Sequence, residues 1–176
     1  MISWTGDDLD LLFSTLRHVC LMGLVRILVD GYSVLHQCLD IAPEEPRHSA
    51  AARDALVKRL TQYRDAIGTA VTIVFDGTNA PKGCPESIST PEMEVLYSPR
   101  GKTADDVIER VTFRMLDYGD VRVVTDDHAE QNTVIALGAT ASSTGAFMRE
   151  VSSILDSFQE DLKRVNRRER RAYGRR

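Results

Sequence analysis

Short apolar runs rich in β-branched residues alternate along this chain with stretches of helical periodicity, and that alternation allows few folds. The runs are Val25–Val29, Ala70–Phe75, a short Glu94–Tyr97 and Val121–Thr125. Between the first two, Ala52, Leu56, Leu60, Tyr63 and Ile67 recur at helical spacing, which predicts an amphipathic helix from about Ser49 to Ile67, ended by Gly68. Thr103 is placed to cap a second helix whose inner face is Val107/Ile108, Val111 and Met115. A third helix is expected from about Asp127 to Leu137, then a short extended piece, Ala139–Ala141, and a last helix from near Ser143. Strands alternating with helices predict an α/β three-layer sandwich, with a mainly parallel central sheet covered on both faces.

Length supports one domain with a full core, since the chain has 176 residues. Residues 1–21 are expected to be a leader outside the fold. Leu9, Leu12, Phe13, Leu16 and Val19 could share a helix face, but the first strand starts directly after Met22-Gly23. The domain itself is expected over 22–158, with a basic tail over 159–176. Asp40–Pro46 is rich in turn formers, and Gly77–Pro91 reads as a long loop of a length that is usually functional.

Charge is unevenly spread. From Lys163 to Arg176 there are eight Lys/Arg against Glu169 alone, a net of +7 that leaves −11 on the rest of a chain whose total is −4. An acidic body with a basic end suits a metal site joined to a polyanion contact. Cys20, Cys38 and Cys84 are odd in number and lack a C-x-x-C pair, which argues against a disulfide framework or a zinc site and fits a reducing cytoplasm. No apolar run reaches membrane-spanning length, and Asp7, Asp8 and Asp10 stand where a signal peptide would carry base.

Acid concentrates where the helices and strands exchange. Asp30 and Asp76 end the first two strands, Asp105 and Asp106 open a helix, and Asp126 and Asp127 follow the strand at 121–125. In a parallel sheet, strand C-termini and helix N-termini share one edge, so these carboxylates would meet in one crevice. Each has a plainer reading. Asp30-Gly31 and Asp76-Gly77 are turn dipeptides, Thr103 with Asp106 has capping-box spacing, and Asp127 with Glu130 could cap a helix. Asp105 is less easily explained that way. Together the six suggest ligands for one or two hard divalent cations, Mg²⁺ or Mn²⁺, with Ser33 supplying a nearby hydroxyl. Arg100 and Lys102 would then meet substrate phosphate, and Arg167, Arg168, Arg170 and Arg171 would contact RNA.

Metal-dependent phosphodiester hydrolysis is the chemistry such a set serves. His36 and His128 lack metalloprotease spacing, no P-loop follows Gly77, and the first strand ends without a dinucleotide fingerprint.

Val29–His36, Val74–Asp76, Gly101–Arg110 and Val123–Gln131, in this order and spacing, resemble the NYN domain family and most closely its YacP-like ribonucleases, which share the PIN-like nuclease fold. The resemblance covers about Val25 to Val151. It implies a metal-dependent endoribonuclease acting on single-stranded RNA, on messenger RNA in association with the ribosome. By position, Asp30, Asp105 and Asp127 match the family's acidic metal site, and Asp76 matches its acid at the end of strand two. Asp106 and Asp126 are additional acids. Ser33 replaces the family's asparagine, which leaves a non-catalytic RNA- or ribosome-binding module with a degenerate pocket as the alternative, and a phosphohydrolase of small esters as a third reading.

Overall fold

The computed structural model describes residues 23–77 and 90–173, with side chains for all of these except 162, 165, 166 and 168–173. The expected leader and most of the expected long loop, with Cys20 and Cys84, lie outside these residues.

Five strands form one sheet: β1 (Leu24–Asp30), β2 (Ala70–Phe75), β3 (Met93–Tyr97), β4 (Asp120–Val124) and β5 (Thr140–Ser142). Their order is β3-β2-β1-β4-β5, and every neighbouring pair is parallel. The central strands are apolar on both faces, as the sequence predicts for a sheet covered twice. Ile27, Leu28 and Val29 are all fully buried, as are Ile73, Val74 and Phe75.

Helices α1 (Gly31–Gln37), α2 (Ala50–Ile67) and α5 (Thr144–Tyr173) cover one face; α3 (Ala104–Met115) and α4 (His128–Leu137) cover the other. Ser49 caps α2 by accepting the Ala52 N–H, and Gly68 ends it at φ 73°, where a side chain would be strained. The expected inner face is buried at Ala52, Leu56, Leu60 and Tyr63. On the far side Ile108 and Val134 pack on Leu28, Val74 and Val123. Strand bounds differ from the expected ones by a residue or so.

One element was not expected. Directly after β1, where Asp30-Gly31 suggests a turn, the chain enters α1. It is only seven residues long and starts with glycine, so its own propensity is poor. Packing supplies what propensity does not: Tyr32, Val34 and Leu35 are buried in the core. Gly31 is needed there for space. A Cβ at this position would stand 2.2 Å from the Phe75 ring.

The basic end of the chain also takes a definite form. Helix α5 runs on without a break through residues 159–173. No helix among the described residues is long and apolar enough to cross a membrane.

Candidate active site

Chain connectivity locates the crevice. From β1 the chain moves outward through β2 and β3, then returns through α3 to place β4 on the other side of β1. The sheet therefore switches direction between β1 and β4, and the gap outside the carboxyl ends of those two strands is where parallel sheets hold ligands. Asp30 ends β1, Asp127 lies just beyond β4, and Asp105 sits in the first turn of α3, the helix that makes the return.

Asp30 and Asp127 are built alike. Oδ1 of Asp30 accepts the N–H groups of Tyr32 (3.1 Å) and Ser33 (3.2 Å), capping α1. Oδ1 of Asp127 accepts those of Ala129 (2.7 Å) and Glu130 (3.2 Å), capping α4. Among the described residues no hydrogen bond reaches Oδ2 of either. The capping role and the site role thus coexist, with one oxygen for each: a cap uses the first and holds the second still.

Asp106 completes a capping box, accepting the Thr103 N–H while Thr103 Oγ1 accepts its own. Its neighbour Asp105 is free of that duty and faces the other acids electrostatically. Burial raises its pKa first, with Asp127 next among the charges that raise it and Asp106 and Asp76 adding to it. Asp76 follows β2 where Gly77 is drawn against the end of β3, its N–H donating to Ser98 Oγ at 2.8 Å. Asp30 is pushed up to about 6 by burial, against the two capping N–H groups, with Asp105 and Asp127 contributing further.

Glu130 is the site residue that sequence reasoning missed. It occupies the third position of α4, where a capping glutamate would reach back to the Asp127 N–H. That N–H instead donates to Thr125 Oγ1 at 3.1 Å. The Glu130 side chain turns inward, 3% exposed, and no hydrogen bond of full geometry reaches either carboxylate oxygen, although the Thr125 hydroxyl stands close enough to act on it. Burial pushes it up to about 7. The Thr125 hydroxyl acts in the opposite direction, and the charges of Asp105, Asp30 and Asp127 raise it further. A buried carboxylate held by so little, beside three other acids, is a candidate site group. The only sequence signal was an acid three places after a helix cap.

Asp30, Asp105 and Glu130 are thus each harder to ionise at this edge, and the Asp127 carboxylate acts on all three. A hard divalent cation relieves such crowding and prefers oxygen donors, so the donor set is chemically right for one. No three His, Cys, Asp or Glu side chains among the described residues stand ready as a metal shell. Cation binding would therefore need these side chains to draw together.

Asp126 is placed elsewhere. Its carboxylate accepts the Thr144 N–H at 2.9 Å and also the Thr144 hydroxyl, holding the start of α5. It contributes to the raised pKa of none of Asp30, Asp105 and Glu130. Ser33 is also structurally engaged, its Oγ accepting the Asp126 N–H at 3.1 Å. Arg100 and Lys102 are exposed in the turn before α3. Arg167 is exposed on α5, its Nε donating to the Lys163 carbonyl; Arg168, Arg170 and Arg171 lie on the same helix with side chains outside the description.

Comparison with known proteins agrees with the expected resemblance. The YacP-like NYN domain family matches residues 27–176, a span containing all four clustered acids. The uncharacterized protein YacP of Bacillus subtilis (strain 168) is 27% identical over 140 residues, covering 79% of this chain and 82% of that one. The crystal structure of Rae1 (YacP) from Bacillus subtilis superposes with a TM-score of 0.67 at 24% identity, over 88% of this chain and 89% of that one. A point mutant of the same protein gives 0.66 at 24% identity, over 81% and 84%. At that identity the structural likeness concerns the fold.

Proposed function

The chain belongs to the YacP-like NYN domain family, a nuclease-type family, and on that premise we propose that it is an endoribonuclease hydrolysing single-stranded RNA with Mg²⁺ or Mn²⁺. The observation that carries this reading is the electrostatic proximity of Asp30, Asp105, Asp127 and Glu130 at the β1/β4 switch point, with Glu130 buried.

Asp30, Asp105 and Asp127 would hold the cation, with Asp76 close enough to act on Asp105. A bound divalent ion supplies Lewis-acid stabilisation of the phosphoryl charge and a more acidic water. The chain's own part is to fix geometry. Each cap pins one oxygen of Asp30 and Asp127, so their free oxygens keep fixed positions at low entropic cost. Glu130 offers two buried acceptors able to orient a water through its hydrogens. Arg100 and Lys102, exposed just before α3, would meet the phosphates that flank the cut. The basic end of α5 would add sequence-independent attraction to RNA, messenger RNA at the ribosome included.

The test is cleavage of a labelled single-stranded RNA with Mn²⁺ or Mg²⁺, with and without ribosomes, beside the Asp105→Ala variant. Metal-dependent cuts absent from the variant support the assignment. Salt-sensitive binding with no cut in either setting would replace it with the non-catalytic RNA-binding reading.

A further inference from the structure

Beside the acidic edge runs a groove that the hydrolytic reading does not use. Two adjoining cavities of about 680 and 510 Å³ share Gln37, Gly145 and Arg149 as walls and lie side by side along the first turns of α5. The groove's near end lies beside the turn after β4 that carries Asp127. Asp126, which lines it, precedes Asp127 and is bonded to Ser33 on the helix that Asp30 caps. His128 and Gln131, from the helix that Asp127 caps, form the opposite wall.

The chemistry of these walls suits a nucleotide. Arg149 is exposed, and no hydrogen bond or ion pair engages it among the described residues. Its neighbour Glu150 does not neutralise it, being taken by Arg122 at 2.8 Å and by the Tyr63 hydroxyl at 2.6 Å. Asp126, which lines the same cavity, accepts from Thr144 and makes no ion pair with Arg149. The guanidinium lies beside Gly145, 3.6 Å from where a Cβ would stand, an ordinary contact distance. Across the near cavity the His128 ring is held in place. Its Nδ1 meets Gln131 Oε1 at 3.3 Å, while Gln131 Nε2 donates to the Thr125 carbonyl at 2.7 Å. The outcome is a partnerless cation facing a fixed exposed ring across a cavity of small-ligand size. Asp126 in the near cavity and Asp40 in the far one both disfavour phosphate close to them, which leaves Arg149, on the wall the two cavities share, as the place for it.

We propose that this groove is a subsite for the nucleotide next to the cleaved linkage, with Arg149 binding its phosphate and the His128 ring stacking on its base. The inference rests on the ribonuclease reading and adds where the strand lies.

Two measurements test it. Binding of a short single-stranded RNA is measured in an Asp105→Asn background, which prevents cutting, and KM and kcat are measured in the otherwise unaltered chain. Arg149→Ala should weaken binding about tenfold, as expected for loss of a charged hydrogen bond. It should reduce the slope of log affinity against log salt by about 0.7, one phosphate contact on a single strand. The kinetic loss should fall on KM rather than kcat, and Arg149→Lys should recover part of it. His128→Ala should weaken binding without changing the salt slope. An Arg149→Ala protein with wild-type KM and salt slope, in a chain that cuts RNA, overturns the subsite and leaves the nuclease reading intact. A wild-type chain that neither binds nor cuts RNA overturns both.

Discussion

The hydroxyl of Ser33 accepts the backbone N–H of Asp126 at 3.1 Å, across 93 positions of sequence. Asp126 in turn holds Thr144 at the start of α5. Three segments around the crevice are thereby tied together: the start of α1, the turn after β4 and the N-terminus of the long helix. Ser33 thus fastens the rim of the site.

Removing that hydroxyl leaves a partly buried N–H without its acceptor. Ser33→Ala should cost about 1 kcal/mol of stability. Urea unfolding checks this, and an unchanged midpoint would show that water replaces the serine at no cost.

Asp126 and Asp105 should behave oppositely on mutation. Asp126→Ala uncaps α5 and should destabilise by about 1–2 kcal/mol, while Mn²⁺ binding followed by calorimetry persists. Asp105→Asn removes a repelled charge, so the metal-free protein should melt no lower than the wild type, yet cleavage should be lost. If Asp126→Ala abolished Mn²⁺ binding and Asp105→Asn did not, the assignment of ligands would be reversed.

Stability of the metal-free protein should depend on pH in a set direction. Asp30 rises from 3.8 to about 6 and Glu130 from 4.5 to about 7 on folding. Between roughly pH 4 and 7 the folded chain therefore binds more protons at these groups than the unfolded chain, and their contribution to stability is lost as pH rises through that window. In a chelator, Glu130→Gln should gain on the wild type between pH 5 and pH 8, because it cannot ionise. Thermal melts of both proteins across that range decide the matter, and parallel curves would exclude a strongly shifted Glu130. Added Mg²⁺ or Mn²⁺ should raise the wild-type midpoint most at pH 8.

Gly31 tests the close approach beneath the site. A methyl group there meets the Phe75 ring, which is fully buried and unable to retreat freely. Gly31→Ala should destabilise by about 1–3 kcal/mol and displace α1, and with it the cap on Asp30. A crystal structure of the variant with α1 unmoved and stability retained would show that the ring can yield.

How much of this was legible in the sequence follows from the range over which each residue acts. Strands β1, β2 and β4, the caps at Ser49, Thr103 and Asp127, and the stop at Gly68 all rest on neighbours a few positions away, and local pattern suffices to read them. The gathering of Asp30, Asp105 and Asp127 at one edge was also readable, because a parallel sheet puts every strand end and helix start on the same side. Helix α1 was not, since a short helix opening on glycine is held by burial of Tyr32, Val34 and Leu35 and not by its own propensity. Asp126 and Asp127 are equivalent as letters. The contact with Thr144, 18 positions away, separates them. Glu130 looked like half of a helix cap and is instead a buried acid, because Thr125 takes the N–H it would have met. The sequence by itself determined the order of elements and the edge where acid collects, since both follow from short-range pattern. Only the tertiary structure decided which oxygens remain unpaired there, because that depends on hydrogen bonds and burial contributed by segments distant along the chain.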